Sequence, residues 1–317
     1  MICASISKHF ICFGQLVKEE ESSFSIEVVG KKSLPFIFEP SKINDPQLHK
    51  ELEKVFLEVR ADLPVPDRNL VVSIPSNWAD LVTNKIDIGL SDKDVKEVLE
   101  WNTTKRLGNV AENKFIQHYP LLQDSDSVFN NYLTVSYFKE LGKILVKAAQ
   151  PAGFSINTLD INIFSAANAI EKLSSVGKYN KWGVWLVGEE RQILLLVDSG
   201  EFFQYLEFEF TGDLKFSVIS NSSPDSLGEE VILELNAMKT LSNDRVDSLD
   251  YLFFYSHDVD SDFFNMLLTY EVENMGTVDP FSVYKPLNLY KDDGEGIGAM
   301  CQFLDVMGLM LRIMPGS

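Results

Sequence analysis

The order of predicted elements in the first half of this 317-residue chain returns in its second half. In each half, alternating apolar residues predict three consecutive short strands, and a helix and a continuous apolar strand follow them. We predict these short strands at 2–7, 10–17 and 24–29, and again at 182–187, 192–198 and 201–210. Two units with the same order indicate an internally duplicated α/β fold.

The elements after each set of short strands have recognisable start and stop signals. Asp45 is predicted to cap a helix that has Pro46 at its first position. An apolar run that ends at Pro75 is typical of a buried strand. The remaining predictions are a buried strand at 70–74, a helix at 228–241, a buried strand at 250–255 and an apolar helix after 296.

The segment after Pro75 has a pattern of its own and interrupts the first half. Ser91 and Asp94 have the spacing of a capping box, which predicts a helix start. The other elements predicted here are strands at 115–121 and 131–137, a helix at 138–150, a strand at 155–163 and a helix at 166–173. We interpret this segment as a small α/β insertion, and the polar loop at 174–180 as the boundary between the halves.

These patterns divide the chain into five segments. They are the core of a first lobe at 1–76, an inserted subdomain at 77–155, the continuation of the first lobe at 156–177, a second lobe at 178–292, and a C-terminal helix at 293–317 that returns to the first lobe.

Charge and composition exclude several classes of function. The chain has 28 Lys and Arg against 47 Asp and Glu, a formal net charge of −19, which argues against nucleic acid and bare anionic membrane as partners. Three cysteines without metal-site spacing argue against a disulfide framework or a zinc site, and the chain start lacks a signal-peptide pattern. The apolar stretch at 297–314 contains Asp305 and Arg312, so we predict a buried helix rather than a membrane span.

No motif predicts a catalytic or metal site. The loop at 257–262 alternates carboxylates as a calcium loop does, but Phe263 and Thr269 stand where that pattern needs Gly and Glu. The sequence at 294–299 loosely matches G-x-G-x-x-A, although no βαβ unit follows it. The four histidines are scattered, and we name none of them as a catalytic base.

The layout resembles the PilM family of type IV pilus assembly proteins. This family belongs to the actin-like ATPases, with actin, Hsp70, sugar kinases and FtsA, and is similar to the cytoplasmic part of GspL. The similarity is carried by VVSIPSNWADLVTNKIDIGLSDKDVKEVLEWNTTKRL at 71–107, by YLTVSYFKELGKILVKAAQPAGFSINTLDINIFSAANAIEKL at 132–173, and by DPFSVYKPL at 279–287. It implies a duplicated, ribonuclease H-like two-lobed fold with an SHS2-like inserted subdomain.

The resemblance also implies a nucleotide site between the lobes, built from two phosphate turns and one adenosine loop. The matching positions here are Ser5, Ser7 and Lys8 in the first turn, Gly188 and Glu189 in the second, and Ser256 and His257 in the loop. The first turn lacks its acid and glycine, the second has carboxylates where phosphate should lie, and the third lacks its Gly-Gly pair. We therefore expect a degenerate site without a cofactor.

The implied role is that of a scaffold without catalytic activity at the cytoplasmic face of the inner membrane. In the PilM family, such a protein captures the extended N-terminal tail of the membrane partner PilN beside the inserted subdomain. Trp78 and Trp101 are the candidate anchor residues, and self-association stays open. One alternative is an active ATPase or filament-forming protein that binds ATP and magnesium, and another is an unrelated α/β enzyme.

Overall fold

A computed structural model gives the structure of the chain. It describes residues 1–19, 23–121, 128–177, 180–188, 191–212, 215–222, 232–234, 249–269, 274–289 and 297–314. Within these residues, three separate β-sheets organise the fold, with six, seven and three strands.

The first sheet has the strand order β16-β3-β2-β1-β4-β8. Its strands are β1 (Ile2–Ile6), β2 (Phe10–Lys18), β3 (Phe24–Ser33), β4 (Asn69–Ile74), β8 (Ser155–Ile161) and β16 (Asn288–Leu289). In the central strand β1, Ile2, Ala4 and Ile6 pack into one hydrophobic cluster and Cys3 packs into another. The sheet is therefore covered on both faces, as its nearly continuous apolar strands predict.

Two pairs of helices cover the first sheet. Helices α1 (Pro46–Asp62) and α3 (Lys139–Ala149) bury apolar residues in the cluster that contains Ile2. Helices α4 (Asn162–Leu173) and α6 (Leu304–Ile313) contribute to the other cluster, which extends to the second sheet. A 3₁₀ turn at Ile297–Phe303 precedes α6.

The second sheet has the order β13-β12-β11-β10-β9-β14-β15. Its strands are β9 (Lys181–Leu186), β10 (Arg191–Asp198), β11 (Glu201–Gly212), β12 (Lys215–Asn221), β13 (Ile232–Glu234), β14 (Tyr251–Tyr255) and β15 (Met275–Gly276). Helix α5 (Asp262–Leu268) follows β14 and packs Phe264 and Leu267 into the core. As in the first sheet, an antiparallel meander is extended by a parallel strand, here β14 beside β9.

The third sheet is small and has the order β5-β7-β6. Its strands are β5 (Ala79–Asp87), β6 (Lys114–Pro120) and β7 (Phe129–Phe138), and helix α2 (Asp92–Leu107) packs Val95 and Leu99 against Ile86. A 3₁₀ segment, Gly108–Asn113, joins α2 to β6. This unit interrupts the first sheet between β4 and β8, as the sequence predicts for an insertion.

The structure corrects several details of the sequence predictions. Residues 232–234 form a strand rather than part of the helix predicted at 228–241, and the rest of that helix lies outside the described residues. The strand predicted at 155–163 ends at Ile161, because α4 begins at Asn162. Helix α3 packs on α1 through the first-sheet core, so the inserted unit with its own packing ends near 138 rather than 155.

The chain also returns to the first sheet earlier than predicted. Strand β16 pairs with β3 at residues 288–289, before the predicted boundary at 293. In the terminal region, the 3₁₀ turn and α6 are buried among other elements. Among the helices of the described residues, none has the length and hydropathy needed to cross a membrane.

Candidate functional site

A cleft of about 430 Å³ lies where the turns of the first two sheets meet. Predicted site residues from all three turns line it, namely Ser7, Lys8, Gly188, Ser256 and His257. The β1–β2 turn, the β9–β10 turn and the loop after β14 converge because β1 and β9 are the corresponding central strands of their sheets. The structure thus brings together residues that are more than 240 positions apart in sequence.

The β1–β2 turn is closed by hydrogen bonds to its own residues. The Ser7 N–H donates to the Phe10 carbonyl oxygen at 2.8 Å, and the Phe10 N–H donates to Ser7 Oγ at 3.0 Å. Ser7 Oγ also donates to the Phe10 carbonyl oxygen at 3.1 Å. A phosphate-binding turn needs backbone N–H groups that point at the ligand, and in this conformation those of Ser7 and Phe10 are already used.

The β9–β10 turn is likewise held by its own side chains. Gln192 Oε1 accepts the Gly188 N–H at 3.3 Å and the Trp185 Nε1–H at 3.0 Å, and the Gln192 amide donates back to the Gly188 carbonyl. A Cβ atom at position 188 would lie 2.3 Å from the Arg191 carbonyl oxygen, so this turn needs glycine for its own closure. Glu189 lies outside the described residues.

The loop after β14 repeats this arrangement. Ser256 Oγ lies 2.8 Å from the Val187 carbonyl oxygen and accepts the Asp258 N–H at 3.0 Å. The Val187 N–H in turn donates to the Tyr255 carbonyl at 2.8 Å, which ties this loop to the β9–β10 turn. Ser256 is therefore a structural residue that links two of the three turns.

Ser5 and His257 meet on a buried carboxylate that the sequence analysis did not assign to the site. Asp305 Oδ2 accepts Ser5 Oγ at 2.6 Å and lies 2.6 Å from His257 Nε2, while its Oδ1 accepts the Val306 N–H at 2.8 Å. Ser5 and Asp305 are fully buried, and His257 is 5% exposed. The three residues belong to β1, α6 and the β14 loop, so this polar cluster joins the two large sheets beneath the cleft.

Charges of both signs line the cleft. Arg191 Nη1 lies 2.8 Å from Glu207 Oε1, and the hydrogen bond and charge of Glu207 raise the pKa of the arginine. Glu39 and Asp258 add carboxylates, and Lys8 adds a cation. No group of three or more His, Cys, Asp or Glu side chains within the described residues has the arrangement of a metal site.

The cysteines lie in the core. Cys3, Cys12 and Cys301 are free and buried, and burial raises the pKa of Cys3 to about 12 and that of Cys301 to about 11. At neutral pH these two thiols are protonated, whereas a nucleophilic cysteine acts as the thiolate.

The two candidate anchor tryptophans differ in accessibility. Trp78 is 3% exposed and stacks on Phe38 with 4.6 Å between ring centroids, which places it in the core and out of reach of a partner. Trp101 is 61% exposed on α2, and Lys105 Nζ lies 4.9 Å above its ring. Of the two, only Trp101 is placed where a partner could contact it.

The outer strand β6 of the third sheet presents a second surface feature. No strand among the described residues pairs with its outer side, whereas the outer side of β5 donates the Thr83 N–H to the Ser222 carbonyl of the second lobe. Phe115 and Tyr119 on β6 are each about half exposed, and the Phe115 ring lies 5.4 Å from that of Tyr137. The sequence could signal this surface only through the alternation in β6.

Comparisons with known proteins give the fold. No family model matches the chain, and no curated protein matches its sequence. One chain of a solved PilM-PilN type IV pilus biogenesis complex is similar at 13% identity and a TM-score of 0.63, covering 98% of this chain and 97% of that one.

Two further structures lie at larger distances. The cytoplasmic domain of EpsL, an inner membrane component of the type II secretion system of Vibrio cholerae, has 9% identity and a TM-score of 0.47, with 98% and 94% of the chains covered. A protein of unknown function with an actin-like ATPase fold from Bacteroides thetaiotaomicron has 11% identity and a TM-score of 0.41, with 88% and 90% covered. The predicted actin-like fold is confirmed, and the chain is a divergent structural relative of PilM over its whole length.

Proposed function

We propose that this protein is a scaffold without catalytic activity in a type IV pilus or secretion-type machine, where it binds the extended cytoplasmic tail of a PilN-like inner-membrane protein. The observation that carries the proposal is the unpaired outer side of β6, on a chain similar to PilM from end to end. In this role the protein lies at the cytoplasmic face of the inner membrane and is held there through its partner.

The hydrogen-bond phase of β6 defines what an added strand would meet. The Leu121 N–H donates to the Asn131 carbonyl, in the same register that pairs Tyr119 with Leu133. Odd-numbered residues of β6 therefore bond to β7, and the backbone groups of Ile116 and His118 point outward, because strand residues alternate in this way. An extended peptide can pair with these two residues, and Pro120 ends the pairing because it has no N–H.

Side chains beside this strand offer specificity. Phe115 and Tyr119 supply half-exposed aromatic surface. Burial and then the Asp160 carboxylate raise the pKa of Tyr119, while Arg312 opposes them, so a charged pair lies close to this ring. A tail with apolar side chains at alternate positions and basic residues nearby would suit this surface, and the net charge of −19 favours a basic tail.

The cleft geometry supports the absence of ATPase activity. Donors that a triphosphate would need at Ser7, Gly188 and Asp258 bond within the protein, and Glu39, Glu207 and Asp258 line the same space. We infer that the fold is retained without nucleotide hydrolysis. Steady phosphate release from MgATP above background would favour the alternative, an active ATPase.

The test uses a synthetic peptide of the cytoplasmic tail of the single-span membrane protein encoded beside this chain. We expect His118→Pro to weaken peptide binding at least about tenfold, because it removes an outward N–H and leaves the bonds to β7 in place. His118→Ala is the matched control, since it loses the same contact to Thr134 Oγ1 at 2.8 Å but keeps the N–H. Equal binding of both variants in fluorescence anisotropy would refute strand addition at β6.

A further inference from the structure

A buried amide oxygen at the cleft has no hydrogen-bond partner. Asn162 is the first residue of α4, is 1% exposed and lines the cleft. Its Nδ2 donates to the Ile6 carbonyl at 3.0 Å, which fixes Oδ1 as the other end of the amide. Among the described residues nothing donates to this Oδ1. Unpaired buried acceptors are costly, so a ligand that donates a hydrogen bond here would be stabilised.

Other acceptors line the same space. Asn77 Oδ1 is buried and unpaired within the described part of the chain. The carboxylates of Glu39, Glu207 and Asp258 outnumber the permanent cations Lys8 and Arg191, and Arg191 is bound to Glu207 at 2.8 Å. The cleft thus offers acceptors whose partners are missing, whereas the turn donors described above have partners.

The start of α4 does not reverse this balance. A helix N-terminus attracts anions through its unpaired N–H groups. Here Asp160 already lies at that end, since its Oδ1 accepts the Ile161 N–H at 2.9 Å and its Oδ2 accepts Ser165 Oγ at 2.7 Å. Because a protein carboxylate occupies this position, the helix gives the cleft little further preference for phosphate.

We propose that the cleft binds a small organic cation, an alkylammonium or guanidinium group, which donates to Asn162 Oδ1 and lies against the carboxylate of Glu39. A volume of about 430 Å³ accommodates such a ligand. Leu186 and Ile193 on the cleft wall provide apolar contact for its methylene chain. This site is separate from the β6 surface, and the cation can be a free polyamine or a basic side chain of a peptide.

The experiment is isothermal titration calorimetry of the full chain at about 0.15 M salt, where non-specific attraction to a polyanion is reduced. Spermidine and N-acetyl-arginine methylamide are the cationic probes, and MgATP and inorganic phosphate are the anionic ones. We expect saturable binding of at least one cation and none of either anion. Binding of spermidine alone identifies a free amine as the source, and binding of the arginine derivative identifies a peptide side chain.

Variants locate the binding in the cleft. Asn162→Ala and Glu39→Gln are each expected to weaken cation binding about tenfold, because each removes one acceptor. Glu58→Gln removes a carboxylate from the exposed side of α1 and is the matched control that should bind as the wild type does. If Asn162→Ala does not fold, Asn77→Ala replaces it with the same expectation.

The outcomes are decisive in either direction. Absence of heat with both cations, equal weakening in Glu58→Gln and Glu39→Gln, or saturable MgATP binding overturns the proposal. His118→Pro leaves the cleft residues intact and should bind the cations as the wild type does, so the two proposals fail separately.

Discussion

At the scale of single residues, Asp305 accounts for why the cleft turns hold their positions. Its carboxylate receives Ser5 from the first sheet and His257 from the second, and all three side chains are buried. A buried carboxylate is tolerated only where hydrogen bonds or an opposite charge compensate it. The contact therefore couples the arrangement of the two large sheets to one side chain of α6.

We expect Asp305→Ala to lower the free energy of unfolding by about 3 kcal/mol, because it leaves Ser5 Oγ and His257 Nε2 in the core without their acceptor. Equilibrium urea unfolding followed by circular dichroism measures this change. Asp260→Ala removes an exposed carboxylate from the loop that carries His257 and should stay within about 0.5 kcal/mol of the wild type. Equal effects of the two substitutions would show that the buried cluster contributes no more than surface charge.

The sequence predicted part of this site. Ser5, Ser7 and His257 were selected as positions matching a nucleotide site, and the structure places them at or beneath one cleft. Asp305 and Asn162 were missed for a physical reason. Asp305 lies 300 residues from Ser5 within an apolar run, and Asn162 occupies a junction where strand and helix patterns overlap. Only the packed arrangement of the sheets brings these side chains to the cleft.

At the scale of elements, local signals were reliable and mixed patterns were not. The caps predicted at Asp45 and Ser91 are present, with the Gln47 N–H donating to Asp45 and the Asp94 N–H donating to Ser91. Strand β5 was not predicted, because Asp80, Asn84 and Lys85 interrupt its apolar alternation. Its strand state comes from nine paired positions with β7, which are long-range contacts that local propensity does not contain.

The close crossing of α4 and α6 gives a prediction at this scale. A Cβ atom at Gly308 would lie 1.7 Å from the Ser165 carbonyl oxygen, and Asn168 Nδ2 donates to the Gly308 carbonyl at 2.8 Å. We expect Gly308→Ala to destabilise the protein by about 2 kcal/mol, because the two helices must move apart. Thermal unfolding followed by circular dichroism measures the effect.

Gly142 is the matched control for this helix crossing. It lies inside α3, and a Cβ atom there would meet nothing within 4 Å. Gly142→Ala should therefore stabilise the protein by about 0.5–1 kcal/mol, through the better helix propensity of alanine. A loss of stability in both variants would mean that the Gly308 effect does not come from the contact with Ser165.

At the scale of the whole molecule, charge opposes compactness. The chain has 47 acidic and 28 basic residues, and ion pairs such as Lys93–Glu97 and Lys96–Glu100 lie on exposed helix surface. Exposed pairs of this kind contribute little stability. The excess negative charge therefore leaves net self-repulsion in the folded state. This balance also fits partners and ligands that carry positive charge, as both proposals require.

Salt should consequently stabilise the fold. Between about 0.01 M and 0.15 M NaCl the Debye length falls from about 30 Å to about 8 Å, which screens repulsion between distant carboxylates. We expect the midpoint of thermal unfolding to rise over this range, and KCl to give the same rise at equal ionic strength, because screening does not depend on the cation. Differential scanning calorimetry measures the midpoint. A midpoint that is constant or falls with NaCl would mean that attractive pairs, rather than the net charge of −19, dominate the electrostatic free energy.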